Sequence, residues 1–118
     1  MEFDRFTAVL LITNPDGPKL TEAEDDALQD AHLAFLAELH EAGHLLAAGP
    51  VADLPDRHYR GLSILNVDAE TAMALKSRDP AVMAGKFTIK VMPWMVPAGA
   101  IRYTRTNFPH SIAEATGA

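Results

Sequence analysis

The chain of 118 residues contains no cysteine. That absence excludes disulfides, thiol catalysis and thiolate metal sites together. No apolar run approaches the roughly 18 residues of a membrane span, so no membrane partner is expected. The first residues also lack the succession of cationic, apolar and small residues that marks a secretory signal. The expected setting is therefore the cytoplasm. Positive charge is scarce too, with 10 Lys plus Arg against 16 Asp plus Glu and a formal net charge of -6. Such an excess repels a phosphate backbone, and a nucleic acid is not an expected partner.

What is present is an ordinary globular composition, 48% apolar with mean hydropathy near zero. Residues 1–118 read as a single domain able to bury a core. The charges are segregated. Acidic residues crowd into Glu22 to Glu41, while Arg57, Arg60, Lys86, Lys90, Arg102 and Arg105 come later. The later part can thus carry a local positive potential suited to a small anion.

Residues Phe6 to Thr13 are apolar on both parities and read as a strand covered on two sides. Asn14-Pro15-Asp16-Gly17-Pro18 is a turn cluster. Thr21-Glu22-Ala23-Glu24 has the form of a capping box and predicts a helix from about Glu22 to Ala42, closed by Gly43 in the left-handed conformation. Leu45 to Val51 and Gly61 to Val67 read as the second and third strands, with a polar loop at Asp53 to His58 between them. Asp68 caps a second helix over Ala69 to about Arg78, which Asp79-Pro80 closes, because a residue before proline is pushed out of the helical region. Phe87 to Met92 alternates as a fourth strand, with Pro93 as its end. Ala100 to Thr106 reads as a fifth, shorter strand or as an arm.

The order β-α-β-β-α-β predicts an α+β, ferredoxin-like fold with an antiparallel sheet and both helices on one face. The other face is apolar as well: Phe6, Ala8, Leu10 and Ile12 share one parity of the first strand, and Val9 and Leu11 the other. A soluble monomer does not tolerate an open apolar face of that size. The expected cover is the same face of another copy, giving a homodimer or a higher assembly.

The long helix carries a histidine within its apolar stripe. At 100° per residue, Leu28, His32, Phe35, Leu39 and Ala42 fall on one face, and Asp26, Asp30, Ala34, Ala37 and Glu41 on the other. An imidazole aimed inward needs a hydrogen-bond partner or a cavity. It is either a core histidine satisfied by a carbonyl or a site residue. Asp79 has the same two readings, as a helix terminator or as a site carboxylate. His40 and His44 are four apart, but Gly43 separates them and His40 lies about 80° from His32 on the wheel. A metal site is not expected.

The segment "HLAFLAELHEAGHLLAAGPV" followed by "RGLSILNVDAETAMALKSRDPAVMAGKFTIKVMPW" resembles the YCII-related proteins. The shared pattern is a helical His, a Gly-x-Leu-x-x-Ala-Gly-Pro segment, and an Asp-Pro-x-x-x-Ala-Gly segment before a strand ending in Pro-Trp. The likeness runs from about residue 6 to residue 94, leaving 95–118 as a C-terminal extension. It implies a dimeric ferredoxin-like α/β barrel whose pocket is built on a His–Asp pair, here His32 and Asp79, as catalytic residues. It also implies substrate contacts at Gly49 and Pro50, where backbone can approach a ligand, and at Asp53 in the following loop. The long lead from Asn14 to Asp30 and the extension after Trp94 depart from the common family form.

Two classes of function follow. The first is a small enzyme without cofactor, in which His32 oriented by Asp79 does general acid–base work on a small cyclic or enolic organic molecule by isomerisation or elimination. A family member that dechlorinates a chlorinated hydroxyquinol indicates the kind of substrate the resemblance implies. The second is a non-catalytic module that holds a small-molecule ligand or serves as an accessory dimer.

Overall fold

A computed structural model describes residues 1–117. Its elements are β1 (Phe3–Thr13), α1 (Glu22–Glu41), β2 (Leu45–Pro50), β3 (Tyr59–Leu65), α2 (Ala69–Lys76), α3 (Pro80–Met83), β4 (Phe87–Pro97) and α4 (Ile112–Thr116). The four strands form one antiparallel sheet in the order β2-β3-β1-β4. That is the ferredoxin-like arrangement the βαββαβ succession predicts, with β1 and β3 central. Among the described residues no helix is long and apolar enough to cross a membrane.

Local sequence signals act where they stand. Thr21 accepts from the Glu24 N–H while the Glu24 carboxylate accepts from the Thr21 N–H, a complete capping box. At the other end of α1 Gly43 takes φ +86°, open to glycine without strain. The His44 N–H then closes back onto the Leu39 carbonyl.

The odd-numbered residues of β1 face the helices. Val9 packs with Leu36, Leu39, Leu45, Leu65 and Ala72, and Leu11 with Ala81 and Phe87. The even parity faces away, where the register sets Phe6 beside Trp94, Ala8 beside Met92 and Leu10 beside Leu62. Trp94 and Leu62 stay 43% and 38% exposed on that side.

The structure differs from the sequence expectations most clearly at three places. First, β4 does not stop at Pro93 but runs to Pro97, with Pro93 opposite Thr7 and Pro97 opposite Phe3. As an edge strand β4 has one unpaired side, where a missing N–H removes no ladder bond. Second, α2 ends at Lys76, and Asp79-Pro80 opens a further helix instead of only closing one. The Asp79 carboxylate caps α3, and Pro80 occupies its first turn, where its fixed φ suits a helix start. Third, α1 buries more than one stripe: Ala37 is fully buried although expected outward, and Ala42 is exposed although expected inward. His40, three residues beyond Ala37, lies under the C-terminal arm, so a second side of the helix is covered. Of the two readings of residues 100–106, strand or arm, the structure takes the arm, which leads into α4.

The arm is held by His40. Its Nδ1 lies 2.6 Å from the Leu45 carbonyl and its Nε2 accepts the Thr106 N–H at 2.9 Å. Tyr103 donates its hydroxyl to the His40 carbonyl, and Phe108 stacks on the ring with centroids 3.9 Å apart. Both His40 nitrogens are therefore engaged in structure.

Candidate functional site

His32 and Asp79 reach each other because two helix termini converge on the middle of α1. Asp79 is fully buried. Its Oδ1 accepts the Ala81 N–H at 2.9 Å, which is the cap of α3, and its Oδ2 meets His32 Nδ1 at 2.7 Å. With both oxygens engaged the carboxylate has one orientation. A carboxylate only accepts, so in this pair Nδ1 carries the proton and Nε2 is the nitrogen left for another partner. Phe87 stands edge-on to the imidazole, at 6.4 Å between centroids, and fixes the ring from a second side.

His32 lines a cavity of about 590 Å³ between α1, the β2–β3 hairpin, the start of β4 and the arm. That size suits a small organic molecule. Gly49, Pro50 and Gly61 line it from the hairpin, and Phe108 and Ile112 close it from the arm and α4. A Cβ at Gly61 would stand 3.3 Å from the Leu11 side chain, a tight contact. Asp53 does not line the cavity. Its Oδ2 accepts the Tyr59 N–H at 3.0 Å and its carbonyl accepts the Arg57 N–H at 2.7 Å, so it shapes the loop that brings Arg57 to the cavity wall. Arg57 sits there at φ +53°, a left-handed conformation uncommon for a side chain of that size. Trp94 belongs to the opposite face of the sheet.

Three of the later cations, Arg57, Arg60 and Lys86, meet at the cavity wall, facing Asp25 and Asp26 of α1. Lys86 pairs with Asp25 at 2.6 Å, and both Lys86 and Arg60 lie 5.3 Å from the Phe87 ring centre. Burial and the neighbouring Arg57 push the Arg60 guanidinium below its ordinary range, while Asp25 opposes the shift.

Sequence reasoning missed two residues here. Lys76 is fully buried at the end of α2, and its Nζ donates to Ser63 Oγ at 3.1 Å. Ser63, 3% exposed, lines the same cavity as His32. Burial lowers the Lys76 ammonium from 10.5 to about 8, partly offset by Asp79. One signal was available. Ala69, Ala72 and Lys76 are spaced three and four apart, which puts the lysine on the small, inward face of α2.

A search of curated protein sequences finds no match. Among solved structures, a 5-chloro-2-hydroxyhydroquinone dehydrochlorinase from Burkholderia phenoliruptrix AC1100, in complex with 2,5-dihydroxybenzoquinone, is similar at 20% sequence identity. The match covers 75% of this chain and 92% of that one, with a TM-score of 0.50. At that identity the likeness speaks to the fold, which it shares. The YCII-related domain profile matches residues 7–95, from β1 through most of β4 and including His32 and Asp79. The chain belongs to the YCII-related domain family.

Proposed function

We propose that the protein is a cofactor-free enzyme that moves protons on a small cyclic or enolic molecule, by elimination or isomerisation, with His32 as the proton carrier and Asp79 as its orienting partner. The observation that carries this reading is the 2.7 Å contact between His32 Nδ1 and a fully buried carboxylate, at the wall of a cavity of about 590 Å³. Nε2 takes a proton from a C–H next to a carbonyl, whose electron pair moves onto the carbonyl oxygen, or from the O–H of the enol form, whose electron pair stays on that oxygen; either route gives the enolate. Return of the proton elsewhere on the ring completes an isomerisation; departure of a β-substituent with its electron pair completes an elimination.

Gly49 and Pro50 supply the wall against which the ligand lies, and Asp53 acts through the loop that carries Arg57. The dehydrochlorinase that shares the fold acts on a chlorinated hydroxyhydroquinone, which makes that compound the first substrate to offer. The setting is the cytoplasm, and the working unit is a homodimer, which the exposed Trp94 and Leu62 on the sheet face opposite the helices support.

The test is chloride release and quinone formation from 5-chloro-2-hydroxyhydroquinone, together with melting curves, for wild type, His32→Ala and Asp79→Asn. His32→Ala abolishes turnover and folds, because alanine is a good helix former. In Asp79→Asn the amide oxygen keeps the cap of α3, and the amide N–H then faces Nδ1. The ring must switch tautomer and lose its free Nε2 lone pair, so the rate falls by roughly 10²–10⁴-fold, the usual scale of general acid–base catalysis. If either variant loses melting temperature while keeping activity, His32 is a core histidine and the dyad is not the catalytic machinery; a wild type that binds the compound without turning it over is a binding module.

A further inference from the structure

Lys76 has no part in the proton transfer proposed above, and its placement is unfavourable without a purpose. A buried ammonium loses its hydration and needs several acceptors. Among the described residues the one hydrogen bond that Lys76 Nζ makes to a side chain is to Ser63 Oγ, at 3.1 Å. At neutral pH the amine is protonated, since burial lowers it only to about 8. An ammonium can only donate, so Ser63 Oγ is the acceptor, and its own hydroxyl proton must point elsewhere. Ser63 lines the cavity that His32 lines, on the helix-facing parity of β3. The adjoining position of that parity, Gly61, has no side chain to cover it.

We propose that Ser63, backed by Lys76, is the oxyanion-stabilising group of this site: its hydroxyl donates to the ligand oxygen that becomes negative when His32 takes the proton. The inference rests on the proton-transfer reading and extends it to substrate class, an enolate or acidic hydroxyquinone that presents an anionic oxygen to β3. Proton abstraction beside a carbonyl is slow unless the developing oxygen charge meets a donor already in place. Ser63 meets that oxygen, and Lys76 acts through Ser63 as a positioning residue. The ammonium polarises the hydroxyl and fixes the direction of its proton. His32 and Ser63 then divide the work, one receiving the proton and the other holding the charge left behind. The cations at the cavity wall, Arg57 and Arg60, raise the potential for an anion in the same sense.

The test uses two ring compounds of similar size, 2,5-dihydroxybenzoquinone as an anion and hydroquinone as a neutral molecule. Binding to wild type, Ser63→Ala, Lys76→Met and the double variant is followed by calorimetry at pH 7. Ser63→Ala should weaken the anion by about 10–100-fold, the range for a hydrogen bond to a charged group, and change hydroquinone by less than about threefold. Lys76→Met should act in the same direction, and the double variant should lose little beyond the larger single loss, since the two residues act in series. Ser63→Ala removes one oxygen from a strand whose ladder is untouched, so it tests the proposal even if Lys76→Met folds poorly. Anion binding unchanged in Ser63→Ala overturns the assignment while leaving the His32 reading intact. Fully additive losses overturn the series arrangement. Failure of the wild-type protein to bind the anion saturably overturns the proton-transfer reading and this inference together.

Discussion

Replacing Lys76 by methionine removes a titration from the interior at nearly constant side-chain length. In the folded protein the ammonium is lowered from 10.5 to about 8, chiefly by burial and against the pull of Asp79. At about 1.4 kcal/mol per pH unit, that drop corresponds to roughly 3 kcal/mol. Above pH 10.5 the amine is neutral in both folded and unfolded chains. As pH falls from about 10.5 to about 8 the unfolded chain takes up a proton that the folded chain refuses, and stability is lost. Below about 8 both states are protonated and the loss is complete. The wild-type protein should therefore gain roughly 3 kcal/mol over Lys76→Met on going from pH 7.5 to 10.5. The assay is guanidinium unfolding of both proteins at intervals across that range. Groups common to the two chains cancel in the difference, and methionine does not titrate. At a single pH the comparison also contains the lost Ser63 hydrogen bond and the loss of a cation near Asp79, so the slope is the diagnostic. Parallel curves for the two proteins would refute the reasoning, because they would mean that Lys76 reaches water when charged.

Leu10→Lys puts a charge on the sheet face away from the helices, beside Leu62. Light scattering should show a dimer for the wild type and a monomer for the variant, and a monomeric wild type at micromolar concentration would end the dimer proposal. Phe108→Ala removes the ring stacked on His40 and should lower stability by about 1–3 kcal/mol, less than a fully buried Phe→Ala change because Phe108 is only half-buried. An unchanged urea midpoint would show that this stacking adds nothing to the fold.

Much of this architecture is legible in the sequence because it is written in short-range signals. The capping box at Thr21–Glu24 and the Gly43 terminus need only neighbouring residues, and both form as read. The inward histidine was legible from helix periodicity alone. Features that depend on sheet order were not. Pro93 reads as a strand end unless β4 is known to lie at the edge, where one side of the backbone is free. His40 lies off the His32 face of the wheel and has no visible role until the arm comes back to it from more than sixty residues away. Lys76 was hidden for a related reason. A lysine in the last turn of a helix is the usual favourable partner of the helix dipole, and that reading outweighs its spacing with Ala69 and Ala72 until the packing of α2 over β1 and β4 is known.

Asp79 shows how local and distant signals combine. Asp-Pro looks like a stop, yet the same pair is an N-cap followed by proline in the first helical turn, and the two readings differ only in which helix is counted. The structure uses both, ending α2 and opening α3 within three residues. Capping engages one oxygen of the carboxylate at Ala81 and so aims the other at His32. The four-residue helix α3 thus holds a charge in a fixed direction inside the protein, and its place in the chain follows from that task. Lys76 lies three residues earlier, at the end of α2, where the same turn places a cation near that carboxylate and in contact with the cavity wall through Ser63. One chain reversal therefore delivers both charges to the site: the anion sets the imidazole, and the cation sets the hydroxyl across from it.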